Sequence, residues 1–151
     1  MFERYTEDAR RAMFFARHAA TLSGSVRIES EHLLLGLVRE GGPFFLQLVP
    51  ALSTEQIRKK LADDTVVTDD ASPPMVMPLS EECKWIVAYA ADEADTLNHR
   101  HIAAEHLLLA ILREDSCLAA KLLSDTGARL EALRQRIAAE TSHEDSWEVR
   151  S

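Results

Sequence analysis

An internal repeat constrains the fold of this chain more than any other feature. The segment Glu31–Leu35, which reads Glu-His-Leu-Leu-Leu, returns 74 positions later as Glu105–Leu109. The same offset aligns, without a gap, further pairs that include Thr6 with Ser80, Ile28 with Ile102, Arg39 with Arg113 and Leu48 with Leu122. Beyond these pairs, the second copy is two residues longer in a loop around 124–128. The repeat predicts two copies of one folding unit that bury a shared core.

Each copy carries the pattern of four helices. Apolar residues recur three and four positions apart after Thr6 and after Ser80, as in an amphipathic helix. Both residues are typical N-caps, and two acidic residues follow each of them, which suits the positive end of a helix dipole. A second helix, starting near Ser30 or Ala104, is apolar on most faces and is therefore predicted to be central. A short third helix and a longer fourth helix complete each copy. They are predicted at about 43–49 and 54–62 in the first copy, and at about 117–123 and 128–140 in the second.

These helices predict an all-α fold of two tandem four-helix repeats. The predicted domain covers residues 1–141, with repeat one at 1–62, a linker at 63–78 and repeat two at 79–141. The linker contains four aspartates and three prolines, a composition that favours an extended chain. The polar residues 142–151 are predicted to form a flexible tail.

Composition argues against several classes of function. A formal net charge of -8, from 25 acidic and 17 basic residues, repels the phosphates of nucleic acids. No stretch approaches the roughly 18 apolar residues that a membrane span needs, and the first residues contain no apolar signal segment. We therefore expect a cytoplasmic protein with neither nucleic acid nor membrane as a partner. Cys83 and Cys117 lack metal or redox spacing and are predicted to be small buried residues.

No motif for catalysis or for a cofactor is present. The sequence has no Gly-x-Ser-x-Gly elbow, and the segment 36–42 lacks the Lys and Ser/Thr of a phosphate loop. His32, His99, His101 and His106 do not follow any common zinc spacing, and we expect them to be structural. The sequence thus predicts no enzyme, no metal and no cofactor.

The residues resemble a known family. The start Met-Phe-Glu-Arg-Tyr-Thr, followed by two copies of Ile-x-x-Glu-His-Leu-Leu-Leu, is similar to the double Clp N-motif of Clp/Hsp100 unfoldases over about residues 1–140. The resemblance implies a pseudo-twofold eight-helix bundle and a stand-alone, ClpC-like member without ATPase modules. It also implies a protein-binding role in the Clp quality-control system, with adaptors, tagged substrates or components of the Clp complex as partners. Some members bind phosphoarginine or cyclic peptides.

Four residues match the ligand sites that this resemblance implies. Family members that bind phosphoarginine place its guanidinium against the positions of Glu31 and Glu105, and its phosphate at the helix starts after Thr6 and Ser80. A carboxylate pairs with guanidinium, and the amide groups at a helix start attract phosphate. The alternative for both glutamates is structural, because a carboxylate at a helix start is stabilised by about 0.3–1 kcal/mol.

Phe2, Tyr5 and Phe44 are candidates for a partner surface. The resemblance implies that an aromatic residue before the first helix contacts partners, whereas packing against the helix is the alternative for Phe2 and Tyr5. Two adjacent residues on a helix cannot face the same direction, so either Phe44 or Phe45 is expected to be exposed. The alternative function is that of a structural helical protein whose acidic surface mediates self-assembly.

Overall fold

The computed structural model describes residues 3–52, 55–57, 59 and 77–141. They form α1 (Glu7–Leu22), α2 (Ser30–Glu40), α3 (Gly42–Leu48), α4 (Glu81–Thr96), α5 (Ala104–Arg113), α6 (Leu118–Asp125) and α7 (Leu130–Thr141). Residues 55–57 and 59 are also helical, at the predicted place of the first copy's fourth helix. The all-α prediction with two tandem repeats is confirmed. Most of the predicted linker, up to residue 76, and the tail 142–151 lie outside the described residues.

The first helix of each repeat begins and ends in the same way. The amide of Ala9 donates to Thr6 Oγ1 at 3.2 Å, and the amide of Cys83 donates to Ser80 Oγ at 3.1 Å, so both predicted N-caps are confirmed. After the helices, Gly24 and Asn98 adopt φ values of 74° and 61°. Glycine and asparagine tolerate this left-handed conformation, and α1 and α4 therefore end at equivalent positions.

The second helix of each repeat lies at the centre of the core. α2 packs against α1, α5 packs against α4, and α2 and α5 also contact each other. The leucines at the middle of both central helices are fully buried; they are Leu33, Leu34, Leu37, Leu107, Leu108 and Leu109. The predicted central position of these helices follows from their apolar character on most faces.

Two short ladders of backbone hydrogen bonds connect the repeats. In one ladder, the amide of Thr6 donates to the carbonyl of Ile102 at 3.0 Å, and the amide of Ile102 donates to the carbonyl of Arg4 at 2.9 Å. In the other, Ser80 donates to Ile28 at 2.9 Å, and Ile28 donates to Pro78 at 2.9 Å. Because these residues are equivalent under the repeat, the ladders are related by the pseudo-twofold relation between the copies. Each copy thereby holds the start of the other copy's first helix.

Gly36 allows α1 and α2 to approach so closely that a Cβ atom would not fit between them. A Cβ atom on Gly36 would lie 2.2 Å from the backbone oxygen of Ala12. The equivalent residue in the second repeat is Ala110, which is fully buried on α5. The α1–α2 contact therefore requires glycine, whereas the α4–α5 contact accommodates a methyl group. Among the described residues, no helix is both long enough and apolar enough to cross a membrane.

Candidate functional site

The first candidate site lies where the start of α2 meets the start of α4. The Ile28–Ser80 ladder brings these helix starts together. Glu31 is half-buried there, and the Ser30 hydroxyl donates to its Oε1 at 3.4 Å. Burial raises the pKa of the Glu31 carboxyl, and the nearby charges of Glu29 and Glu82 raise it further. We call this arrangement the Glu31 site.

Carboxylates crowd the Glu31 site. The pKa of Glu82 is raised by burial first, and then by the charges of Glu29 and Glu114, against which Lys121 acts. Like charges that raise each other's pKa values show that the local potential is negative. A cation placed among them would relieve this repulsion, whereas a bare anion would add to it.

The second candidate site, the Glu105 site, lies where the start of α5 meets the start of α1. The Thr6–Ile102 ladder holds these helix starts together, and Glu105 is half-buried. The site lacks one carboxylate, because Ala103 occupies the position equivalent to Glu29, and it lacks the Ser30 hydroxyl, because Ala104 occupies that position. The two sites are therefore related by the repeat, but their local charges differ.

The ladders pair the predicted ligand residues across the repeats. Ser80 of the second repeat bonds to Ile28, three residues before Glu31, and Thr6 of the first repeat bonds to Ile102, three residues before Glu105. The hydroxyls of Thr6 and Ser80 are already occupied, because each caps its own helix. A ligand at either site would therefore meet the backbone amides of the first helical turn rather than these hydroxyls.

The buried histidines fix the starts of the two central helices. The amides of Glu29 and Ala103 donate to Nδ1 of His32 and of His106, at 3.0 and 2.8 Å. Both neutral rings therefore carry their proton on Nε2. Nε2 of His106 donates to Nδ1 of His99 at 2.7 Å, whereas Nε2 of His32 is buried without a hydrogen-bond partner among the described residues. The structural role predicted for His106 is confirmed, and His32 has the same role with one nitrogen unsatisfied.

Burial keeps these histidines neutral. It lowers the pKa of His32 to about 4 and that of His106 to about 3, the latter with a smaller contribution from His99. Burial also raises the pKa of Cys83 to about 12, and both cysteines are free and buried, as predicted. In the described part of the chain, no three His, Cys, Asp or Glu side chains are placed to share a metal ion.

The predicted partner surface needs correction. Tyr5 is only 3% exposed and packs in the core, so its assignment to a partner surface is wrong and the packing alternative holds. Phe45 is fully buried, and Phe44 is half-buried against the core. The large apolar side chain of α3 that is exposed is instead Leu46, at 45%. Phe2 lies outside the described residues.

Sequence analysis missed a buried ion cluster on the second repeat. The Glu93 carboxylate accepts from Arg113 Nη1 at 3.0 Å, from Arg134 Nε at 2.9 Å and from Arg134 Nη2 at 3.0 Å. Glu93 is 3% exposed, and its hydrogen bonds raise the pKa of Arg134. The sequence signal for this cluster is a glutamate beside the apolar stripe of α4, at the position that Ala19 occupies in the first repeat. The cluster links α4, α5 and α7, and its residues are remote in sequence from the helix starts that form the two candidate sites.

Comparisons with known proteins point to one family. The family described as "Clp repeat (R) N-terminal domain" matches residues 78–149. The protein "Negative regulator of genetic competence ClpC/MecB" of Bacillus subtilis is 32% identical over 139 residues, which cover 91% of this chain and 17% of the relative. "Chaperone protein ClpB" of Oceanobacillus iheyensis is 31% identical, with the same coverage. The chain thus spans about a sixth of the length of these curated relatives.

Solved structures share the fold over nearly the whole chain. The N-terminal domain of ClpD from Arabidopsis thaliana superposes with a TM-score of 0.72 at 26% identity, over 95% of this chain and 97% of that one. A complex of the ClpV N-domain with a VipB peptide superposes with a TM-score of 0.71 at 18% identity, over 91% of this chain and 86% of that one.

Proposed function

This chain belongs to the Clp N-terminal domain family, and we propose that it binds partner proteins of the Clp quality-control system without acting on them chemically. The proposed partners are adaptors, tagged substrates or components of the Clp complex, and the proposed compartment is the cytoplasm. A peptide complex is known for one protein of the same fold, the ClpV N-domain with VipB. That complex supports a binding role but does not specify the ligand of this chain.

The proposed ligand groups are arginine and phosphoarginine side chains at the Glu31 and Glu105 sites. The observation that carries this proposal is the cross-repeat pairing of each half-buried glutamate with a helix start. A guanidinium would pair with the carboxylate, and the phosphate of a modified arginine would accept from the amides after Thr6 or Ser80. Cyclic peptides are a further proposed class of ligand, which the family resemblance supports.

Local charge divides the ligands between the two sites. Glu29 makes the Glu31 site the better receptor for an unmodified arginine, because it adds negative potential beside Glu31, whereas Glu82 has an acidic counterpart in Asp8. The Glu105 site has Ala103 in place of Glu29 and opposes a phosphate less strongly. We therefore assign phosphoarginine to the Glu105 site in preference to the Glu31 site.

Isothermal titration with three matched peptides tests this function. The peptides carry phosphoarginine, arginine or citrulline at one position and are otherwise identical. We expect saturable binding of the first two, a loss of at least tenfold in affinity for citrulline, and a further loss for the double variant Glu31→Gln with Glu105→Gln. Glu105→Gln alone should weaken the phosphoarginine peptide more than Glu31→Gln does.

A matched control separates the sites from general charge. Glu140→Gln removes an exposed carboxylate on α7 and should leave all three affinities unchanged. Equal binding of citrulline and arginine peptides, or binding that survives in the double variant, would refute the proposed sites. Co-purification of a Clp adaptor with the double variant would then place adaptor binding elsewhere on the domain.

A further inference from the structure

The outer face of α1 carries apolar side chains that nothing in the described structure covers. Phe14 is 74% exposed and Leu22 is 50% exposed, on the side opposite the buried alanines of the helix. Arg11 and His18 are exposed at positions that continue the same stripe, since successive members are three or four residues apart. We call Arg11, Phe14, His18 and Leu22, together with Arg39 described below, the α1 outer face.

This face is basic, although the chain as a whole is acidic. Residues 7–28 contain four arginines against Glu7 and Asp8, a local charge of +2 in a chain with a formal net charge of -8. The equivalent stretch of the second repeat, 81–102, contains five acidic residues against Lys84 and Arg100, a local charge of -3. The repeat thus provides an internal comparison: one copy's first helix has become basic and apolar outside, while the other has not.

Arg39 stacks on an aromatic ring as its counterpart Arg113 does, but it lacks the carboxylate with which Arg113 pairs. The guanidinium of Arg39 lies 4.2 Å from the Phe15 ring centroid, and that of Arg113 lies 4.2 Å from the Tyr89 ring centroid. Arg113 pairs with Glu93 at 3.0 Å, whereas the first repeat has Ala19 at that position. No carboxylate of the described residues lies within ion-pair distance of Arg39, and Arg39 is exposed.

We propose that the α1 outer face docks an acidic amphipathic helix of a partner protein. Apolar side chains of the partner would cover Phe14 and Leu22, and its carboxylates would pair with the guanidinium of Arg39. They would also compete for Arg11, which lies 3.8 Å from Glu7 and 3.7 Å from Asp8. The stacking of Arg39 on Phe15 holds that guanidinium in place, which lowers the entropic cost of the pair. Exposed apolar side chains on one stripe of α1, together with the Arg39 guanidinium, match the face of an amphipathic helix that carries carboxylates next to its apolar side.

This inference rests on the proposed function, because it describes a second surface of the same binding module. It remains separable, since the Glu31 and Glu105 sites are built from helix starts, whereas this surface is the outer side of one helix. A partner that used both would present arginine at one point and an acidic helix at another.

The test is a titration with a synthetic amphipathic peptide that has leucines along one side and glutamates beside them, followed by backbone amide chemical shifts. We expect shifts along the exposed positions of α1 and near Arg39, and at least tenfold weaker binding in Phe14→Ala and in Arg39→Glu. A peptide with lysine in place of glutamate should regain affinity for Arg39→Glu. Trp85→Ala, at the position equivalent to Arg11 on α4, is the matched control and should bind normally.

Several results would overturn the proposal. They are a peptide that does not bind, shifts that are confined to α4, and a Phe14→Ala variant that binds the peptide as well as the unchanged protein does. A dimer in light scattering that Phe14→Ala abolishes would show that a second copy is the occupant. Binding of anionic vesicles in preference to the peptide would likewise assign the face to a membrane. The double variant Glu31→Gln with Glu105→Gln should keep full affinity for this peptide, so failure of the helix-start sites is distinguished from failure of this surface.

Discussion

The amide of Thr6 in the first repeat donates a hydrogen bond of 3.0 Å to the carbonyl of Ile102 in the second. Its counterpart, from Ser80 to Ile28, is 2.9 Å long. These two contacts decide where the candidate sites lie, because each joins the start of one repeat's first helix to the start of the other repeat's central helix. Neither repeat by itself contains all the residues of a candidate site.

Replacing Glu93 should destabilise the domain more than any exposed charge change. Glu93→Gln leaves Arg113 and Arg134 without their shared buried carboxylate, and we expect a loss of about 3 kcal/mol in the free energy of unfolding. Urea denaturation measures this loss. Asp92→Asn, which removes an exposed carboxylate 3.8 Å from Arg113, is the control and should cost less than about 1 kcal/mol. Similar losses in both variants would contradict the assigned cluster.

Exchange of glycine and alanine should destabilise both central helices, but for different reasons. Gly36→Ala places a Cβ atom against the backbone of Ala12, and we expect a destabilisation of about 1–3 kcal/mol from the forced separation of α1 and α2. Ala110→Gly should cost about 1 kcal/mol through helix propensity alone. Thermal unfolding of both variants checks this pair. A more stable Gly36→Ala protein would show that the close approach is not real.

Truncating either central leucine should damage the core. Leu34→Ala and Leu108→Ala each remove a fully buried side chain, and each should cost about 2–5 kcal/mol. Leu46→Ala, on the outside of α3, is the control and should change the melting temperature little. An unchanged melting temperature for either core variant would contradict the central position of α2 or α5.

Stability should fall as the pH is lowered from 7 to 5. The folded-state pKa values of His32 and His106 are depressed, so the unfolded chain binds protons at pH values below about 6.5 while the folded chain does not. The stabilisation is therefore complete above that value and is lost as the pH falls towards about 4, by about 2 kcal/mol per histidine between pH 7 and 5. Urea denaturation across this range measures the slope, and His101→Asn, an exposed control, should retain it.

As the pH falls, the carboxyls with raised pKa values act in the opposite direction. Glu31 and Glu82 take up protons more readily in the folded chain, which offsets part of the loss caused by the histidines. The range between pH 7 and 5 is the informative one, because the histidines of the unfolded chain titrate there. A flat profile there would contradict the neutral, buried state of His32 and His106.

The helices could be predicted from sequence because their signals are local. The caps at Thr6 and Ser80, and the apolar character of the segments after Ser30 and Ala104, are read along the chain without knowledge of packing. The repeat added the one non-local fact, which is that two equivalent units pack together. These signals were sufficient for the architecture.

The composition of the sites could not be predicted in the same way. The placement of the start of α2 beside Ser80, rather than beside Thr6, depends on which loops form backbone ladders, and no residue pattern encodes that choice. Tyr5 was assigned to a surface because it precedes the first helix, yet the ladder from Thr6 to Ile102 draws it into the core. Glu93 was missed because its arginine partners come from two other helices.

The central claim is that each candidate site is built from both repeats, and amide chemical-shift mapping with an arginine-containing peptide tests it most directly. We predict shifts at 28–31 together with 80–82, and at 4–8 together with 102–105. Glu31→Gln should abolish the first set on both repeats and leave the second. Shifts that stay within one repeat, or that disappear from α2 while persisting at the start of α4, would contradict the claim.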